Sequence, residues 1–314
     1  MRIVIPDDYQ DAVRGLACFA KLAAHDVTIY NDTVKDVDAL AERFRDAEAL
    51  VLIRERTAIT DELLAKLPKL KLISQTGKGT AHIDLDACKR RGVEVVVGTG
   101  SPVAPAELTW ALVMAAMRRI PQEAARLRAG QWQGELGRAL RGRTLSVWGF
   151  GKIGSLVAGY GRAFGMHVVV YGREGSLTRA LAAGYAIATG KEALFAEADV
   201  LTLHLRLTEE TRGIVTAADL ARMKDDALLV NTSRAELIEP GALEAALRAG
   251  RPGFAAVDVY EEEPILGAAH PLLALDNALC TPHLGYVERD SYELYFGEAF
   301  DSITEYEHRH RDQQ

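Results

Sequence analysis

Three side chains in the last third of this 314-residue chain have complementary chemistry: Arg234, Glu263 and His283. Arginine's planar fork suits a carboxylate, histidine titrates near neutral pH, and a nearby carboxylate favours the imidazolium form. Together they could hold an acid substrate and move a proton to or from an adjacent oxygen. Each also has an ordinary alternative. Arg234 could pair with Glu236, Glu263 belongs to a run of three glutamates that could form a solvated face, and His283 could stabilise the turn after Pro282. The case for chemistry is their placement, because each follows an apolar run that reads as a buried strand: 227–232, 254–260 and 278–281.

The element that would position them lies upstream. The apolar run from Leu145 to Trp148 meets Gly149, Phe150, Gly151, Lys152, Ile153 and Gly154, after which Ile153, Leu156, Val157 and Tyr160 recur at helical spacing. A second strand follows, Met166 to Tyr171. Between strand and helix, a G-x-G-x-x-G turn reads as a dinucleotide site: Gly149 for the tight turn, Gly151 for the approach of a pyrophosphate, Gly154 for close packing of helix on strand. With a bound nicotinamide, the distal trio would serve hydride transfer between the cofactor and a 2-keto acid.

An acid normally ends the second strand and holds the ribose of NAD. Here Gly172 and Arg173 stand there, with Ser176 nearby. A cation without a carboxylate favours the 2'-phosphate of NADP, so NADP is expected over NAD, with Arg173 and Ser176 as its contacts. Arg173 as a solvated surface residue is the competing reading.

Residues 2 to 98 alternate short apolar runs with helical stretches, which implies a parallel sheet. Within them, the turn from Gln75 to Thr80, carrying Lys78 and Gly79, is a candidate anion loop, and Arg54 at the end of a strand could reach the same rim or pair with a neighbour such as Glu55. A glycine and proline break, Gly98 to Pro105, precedes an apolar helix expected from Ala106 to Arg119, with a stripe of Leu108, Leu112 and Ala115, ended by Pro121. Gln122 to Arg143 reads as a polar connection. The helix is apolar enough to need cover from a second domain or a second subunit, so a homodimer is expected.

Composition sets bounds. The length suggests about two domains at roughly 150 residues each. The net charge of −7 and the lack of a basic run exclude nucleic acid as an expected partner. The three cysteines, Cys18, Cys88 and Cys280, form no pair of metal-ligand or disulfide spacing, and His308 and His310 read as surface, so no metal site is expected. His204, inside an apolar strand, reads as a core residue. No run approaches the ~20 apolar residues of a membrane span, and Arg2 to Pro6 opens as a strand, not as a signal segment. A cytoplasmic protein with no membrane partner is expected.

Four ordered motifs together resemble the D-2-hydroxyacid dehydrogenases, in their phosphoglycerate-dehydrogenase-like branch. They are Gly149 to Gly154, Asn231-Thr-Ser-Arg-Ala-Glu-Leu-Ile238, Asp258-Val-Tyr-Glu-Glu-Glu-Pro264 and Thr281-Pro-His-Leu-Gly285. The resemblance implies an α/β architecture of two doubly wound parallel-sheet domains with a cleft between them. The dinucleotide-binding Rossmann domain would be 99–285, and a discontinuous flavodoxin-like substrate domain would be 1–98 and 286–314, completed by a helix near Ser291 to Glu307. It implies that Arg234 binds substrate, that Glu263 supports His283 as acid/base, that Thr232 and Asp258 join the cofactor set at the nicotinamide end, and that the Lys78 and Gly79 amides hold the substrate carboxylate. The activity implied is reversible oxidation of a small 2-hydroxy acid to its 2-keto acid. Corepressors that sense dinucleotides resemble the same family, so an interaction protein with little turnover is the alternative. The chain departs from the family pattern at Ala81, Arg206 and Ala235, where aspartate, the proline of His-x-Pro and glycine are usual.

Overall fold

A computed structural model describes residues 1–311 of the chain. It divides into two compact units: Met1–Ser101 together with the chain from Val287 onward, and Pro102–Tyr286.

In the first unit, five strands form one sheet: β1 (Arg2–Ile5), β2 (Asp26–Ile29), β3 (Ala49–Leu52), β4 (Leu72–Gln75) and β5 (Glu94–Val97), in the order β2-β1-β3-β4-β5, all parallel. Every residue of β3 and β4 is buried, the polar Ser74 and Gln75 included, as expected of parallel strands covered on both faces. Helices α1 (Val37–Phe44), α2 (Asp61–Ala65) and α3 (Leu85–Arg90) begin at Asp36, Thr60 and Asp84, whose side chains each accept from the backbone N–H three residues on. The C-terminal helix (Arg289–Arg311) completes this unit: Ser74 donates to its Ala299 carbonyl at 2.9 Å, and its Phe300 meets Phe19 edge-on at 6.3 Å.

The second unit carries seven parallel strands: β6 (Thr144–Trp148), β7 (His167–Tyr171), β8 (Ala186–Ile187), β9 (Val200–Leu203), β10 (Leu228–Asn231), β11 (Phe254–Val257) and β12 (Ala278–Cys280). Their order is β12-β11-β10-β9-β6-β7-β8. The order reverses between β6 and β9, so the carboxyl ends of these strands form the switch point at which open α/β sheets take ligands.

Helix α4 covers Val103–Met117, three residues earlier at its start than expected. Pro105 lies in its first turn, where a missing N–H costs nothing. The helix is covered largely within its own unit: Ala106, Trp110, Leu112, Val113 and Met117 share a core with Val147, Val157 and Val230, while Leu108 is only partly buried. Pro121 does not terminate a helix but sits in the first turn of the next, α5 (Ile120–Arg128), after Arg119 turns the chain in the left-handed region at φ 56°. The expected polar connection is thus helical in its first part. An exposed coil follows, and α5 and this coil together expose Ile120, Leu127, Trp132 at 75% and Leu136 at 98%.

Four helices alternate with the later strands: α6 (Lys152–Ala163), α7 (Glu174–Ala182), α8 (Lys191–Glu197) and α9 (Ala217–Leu220). The start of α9 is a capping box, with Thr216 and Asp219 satisfying each other's backbone N–H groups. Helix α10 (Ala242–Arg248) then precedes β11. Among the described residues no helix is long and apolar enough to cross a membrane.

Candidate active site

Trp148 ends β6, and the chain turns through Gly149 at φ 101°. A Cβ at Gly149 would lie 2.5 Å from the carbonyl oxygen of His204, and one at Gly154 would lie 1.9 Å from the carbonyl oxygen of Gly149. Backbone therefore packs on backbone at both positions. Gly151 is different: a Cβ there would meet nothing within 4 Å. It is the N-cap of α6 and has no side chain to cap the helix, so the first amides of a 12-residue helix face open space. Closed packing on either side and open, uncapped amides in the middle are the features a dinucleotide pyrophosphate requires.

Beside this turn lies a cavity of about 360 Å³ lined by Phe150, Gly151, Lys152, Ser155 and Arg179. Arg173 does not line it. The Arg173 side chain is 80% exposed and pairs with Glu210 at 3.5 Å. Ser176 accepts from Arg179 at 3.2 Å, and Arg179 also donates to the Phe150 carbonyl at 3.1 Å. The sequence reading missed Arg179. The available signal was its spacing, three residues after Ser176 and so on the same helix face.

The three strands β10, β11 and β12 are neighbours, and the loops that follow them carry Arg234, Glu263 and His283. After β10, Asn231 pins the turn: its Nδ2 donates to the Arg234 carbonyl at 2.8 Å and its Oδ1 accepts from Ser233 N–H at 3.0 Å. Thr232 shares a hydroxyl hydrogen bond of 2.7 Å with Thr109 of α4. Arg234 is half-buried, with Nη1 donating to the Ser233 carbonyl at 2.7 Å.

After β11, Glu263 folds back so that Oε1 accepts from Tyr260 N–H at 3.0 Å and Oε2 meets His283 Nδ1 at 2.6 Å. Burial would raise the Glu263 carboxyl, but the His283 hydrogen bond and charge, the Tyr260 N–H and the Arg234 charge together hold it below the usual carboxylate range. His283 itself sits in the left-handed region at φ 51°, its ring edge-on to the buried Tyr286 at 5.5 Å.

Asp258 is fully buried, and both its oxygens are engaged by the loop that bears His283. Oδ1 accepts from Thr281 Oγ1 at 2.6 Å and Leu284 N–H at 2.8 Å; Oδ2 accepts from Gly285 N–H at 2.9 Å. Burial pushes its carboxyl up, against these hydrogen bonds and the His283 charge. His204 lies under the glycine turn, and burial pushes it down to about 4, so it is neutral at ordinary pH.

In the first unit, Arg54 follows β3 in the left-handed region at φ 55°, with Cζ 5.8 Å from the Tyr295 ring. Its N–H donates to Thr76 Oγ1 at 2.9 Å, and its carbonyl accepts from Gln75 at 2.9 Å, so Arg54 and the loop carrying Lys78 and Gly79 are tied together.

The sequence matches the family model described as D-isomer specific 2-hydroxyacid dehydrogenase, NAD binding domain, over residues 110–285. The chain belongs to this family. Among dehydrogenases similar to it, a glyoxylate reductase from Aeropyrum pernix is 38% identical over 267 residues, covering 81% of this chain and 78% of the relative. A D-3-phosphoglycerate dehydrogenase from Methanocaldococcus jannaschii is 39% identical over 251 residues, covering 79% of this chain but 47% of the relative, so this dehydrogenase spans about half the length of that one. The crystal structure of a phosphoglycerate oxidoreductase from Vibrio cholerae O395 superposes with a TM-score of 0.96 at 56% identity, covering 98% of this chain and 99% of the other. The dehydrogenase is accordingly an NAD-dependent oxidoreductase acting on the CH–OH group of 2-hydroxy acids. The alternative of a corepressor-like interaction protein has no support among these relatives.

Proposed function

We propose that this dehydrogenase interconverts a small D-2-hydroxy acid and its 2-keto acid with His283 as the acid/base group. The observation that carries the reading is the 2.6 Å contact of His283 Nδ1 with Glu263, made between loops that follow neighbouring strands of one sheet. With Nδ1 committed to a carboxylate, the ring presents Nε2 to substrate.

When bound at the Gly149 to Gly154 turn, the reduced nicotinamide supplies a hydride. His283 gives its Nε2 proton to the carbonyl oxygen as the carbonyl carbon is reduced, so the keto group becomes a hydroxyl and the imidazolium becomes neutral. Arg234 steadies the developing negative charge on that oxygen and the adjoining carboxylate. Glu263 and Asp258 are positioning residues: one orients the imidazole, the other shapes the loop that carries it. The Lys78 and Gly79 amides hold the substrate carboxylate, and Arg54 selects the substituent beyond it. Thr232 fixes the wall beside the nicotinamide.

Two finer points belong to the same reading. Gly172 offers no carboxylate to the ribose and does nothing to repel a 2'-phosphate, which supports use of both cofactors with NADPH preferred. The exposed Ile120, Leu127, Trp132 and Leu136 form the apolar surface that a second copy covers, which supports a homodimer in a reducing, cytoplasmic setting.

The deciding experiment compares kcat/KM for glyoxylate, hydroxypyruvate and pyruvate with NADH and with NADPH. Turnover of at least one keto acid is expected, with the larger value in NADPH. Failure of all three to oxidise either cofactor would remove the substrate class proposed.

A further inference from the structure

We infer that Arg179, and not Arg173, is the residue that recognises a 2'-phosphate on the cofactor's adenosine ribose. The inference rests on the NADPH preference proposed above and names the group responsible for it. Arg173 is the residue that strand order alone would select, since it follows β7. Yet it stands at the N-cap of α7 with extended backbone, and its guanidinium leads outward to Glu210, a carboxylate that would compete with a phosphate for the same donors.

Arg179 lies about one and a half turns further along α7, and its side chain returns along the helix to the glycine turn. A single nitrogen, Nη2, donates both to Ser176 Oγ at 3.2 Å and to the Phe150 carbonyl at 3.1 Å. These two bonds fix the plane of the guanidinium over the turn, and a guanidinium carries five N–H donors in all. Phe150 lies between Gly149 and Gly151, so the fork is held beside the path of the dinucleotide. The cavity there has Arg179 and Lys152 among its walls, with the Ser155 hydroxyl and no carboxylate. Two cations and a hydroxyl around a space of about 360 Å³ are a chemistry for phosphate.

The pyrophosphate, which both cofactors carry, is the other phosphate that Arg179 could meet. The two assignments differ in what they do to ligands without a nicotinamide. Titration calorimetry with ADP-ribose and with 2'-phospho-ADP-ribose, both of which keep the pyrophosphate, on the native enzyme and on Arg179→Ala, Arg179→Lys and Arg173→Ala separates them. Native enzyme is expected to bind 2'-phospho-ADP-ribose roughly tenfold to a hundredfold more tightly than ADP-ribose, the worth of one or two charge-assisted hydrogen bonds. Arg179→Ala should bring that ratio close to one while ADP-ribose affinity persists, Arg179→Lys should restore part of it, and Arg173→Ala should leave it in place. Equal weakening of both ligands in Arg179→Ala would assign the residue to the pyrophosphate and overturn the proposal. A ratio lost in Arg173→Ala but kept in Arg179→Ala would overturn it in favour of Arg173, with the NADPH reading intact. A native ratio near one would instead overturn the NADPH reading itself, and the role of Arg179 with it.

Discussion

His283 shows what the site demands of single residues. A non-glycine residue in the left-handed region costs of order 1–3 kcal/mol and persists where its surroundings over-determine it. Here they do: Asp258 accepts from the two backbone N–H groups after His283, and His283 N–H donates to the Thr281 carbonyl at 3.0 Å. Replacing His283 with Ala should lower kcat by about 10²-fold or more, the usual worth of general acid–base catalysis, while NADH affinity measured by fluorescence is kept; an unchanged kcat would remove the residue from the mechanism. Glu263 gives a pH prediction. Its folded carboxyl is held below its ordinary value of 4.5, so it contributes stability that is full above that value and is lost as pH falls through the folded one. Denaturant titrations should therefore show Glu263→Gln losing less stability than the native enzyme between neutral pH and pH values below 4.5; parallel curves would count against the ion pair. The placement of Arg234, Glu263 and His283 after neighbouring strands was legible in sequence because each closes an apolar run. For Arg179 the spacing from Ser176 shows only a shared helix face; that its side chain returns along the helix to the turn emerges only in the folded chain.

Elements were read best where burial leaves one solution. The strands β3, β4, β9 and β10 are buried throughout, and such runs announce themselves as parallel strands. The two-residue β8, whose residues are both exposed, has no such pattern. Prolines misled in the opposite way: Pro105 and Pro121 read as breaks, yet both lie in first turns, where a helix has no use for the missing N–H. The glycine turn yields a prediction at this scale. Gly151 has extended backbone and empty space around its missing Cβ, so Gly151→Val should fold with nearly native thermal stability but lose NADH binding in titrations. Gly154→Ala would drive a methyl into the Gly149 carbonyl, at about 1–3 kcal/mol by the usual toll of overpacking, and should lower Tm. Equal melting temperatures for the two variants would contradict the packing described.

For the whole molecule, apolar character that reads from sequence as a demand of α4 for a partner is met mostly by the core of its own unit. Hydropathy says how much must be covered, not by what; Ile120 and Leu127 of α5 and Trp132 and Leu136 of the coil after it are among the apolar side chains left exposed. Light scattering at micromolar concentration should give twice the chain mass of 34.2 kDa, and Trp132→Glu with Leu136→Glu should reduce it to one; a native mass near 34.2 kDa would refute the dimer. The two-part composition of the first unit has a consequence for synthesis. Its strands lie before Ser101, but the helix that carries the fully buried Phe296, Phe300 and Ile303 is translated only after about 185 more residues. At ~5–20 residues per second, the nascent sheet waits about 10–40 s with the face for that helix uncovered. The strands of this unit, made first, are thus the last to be covered.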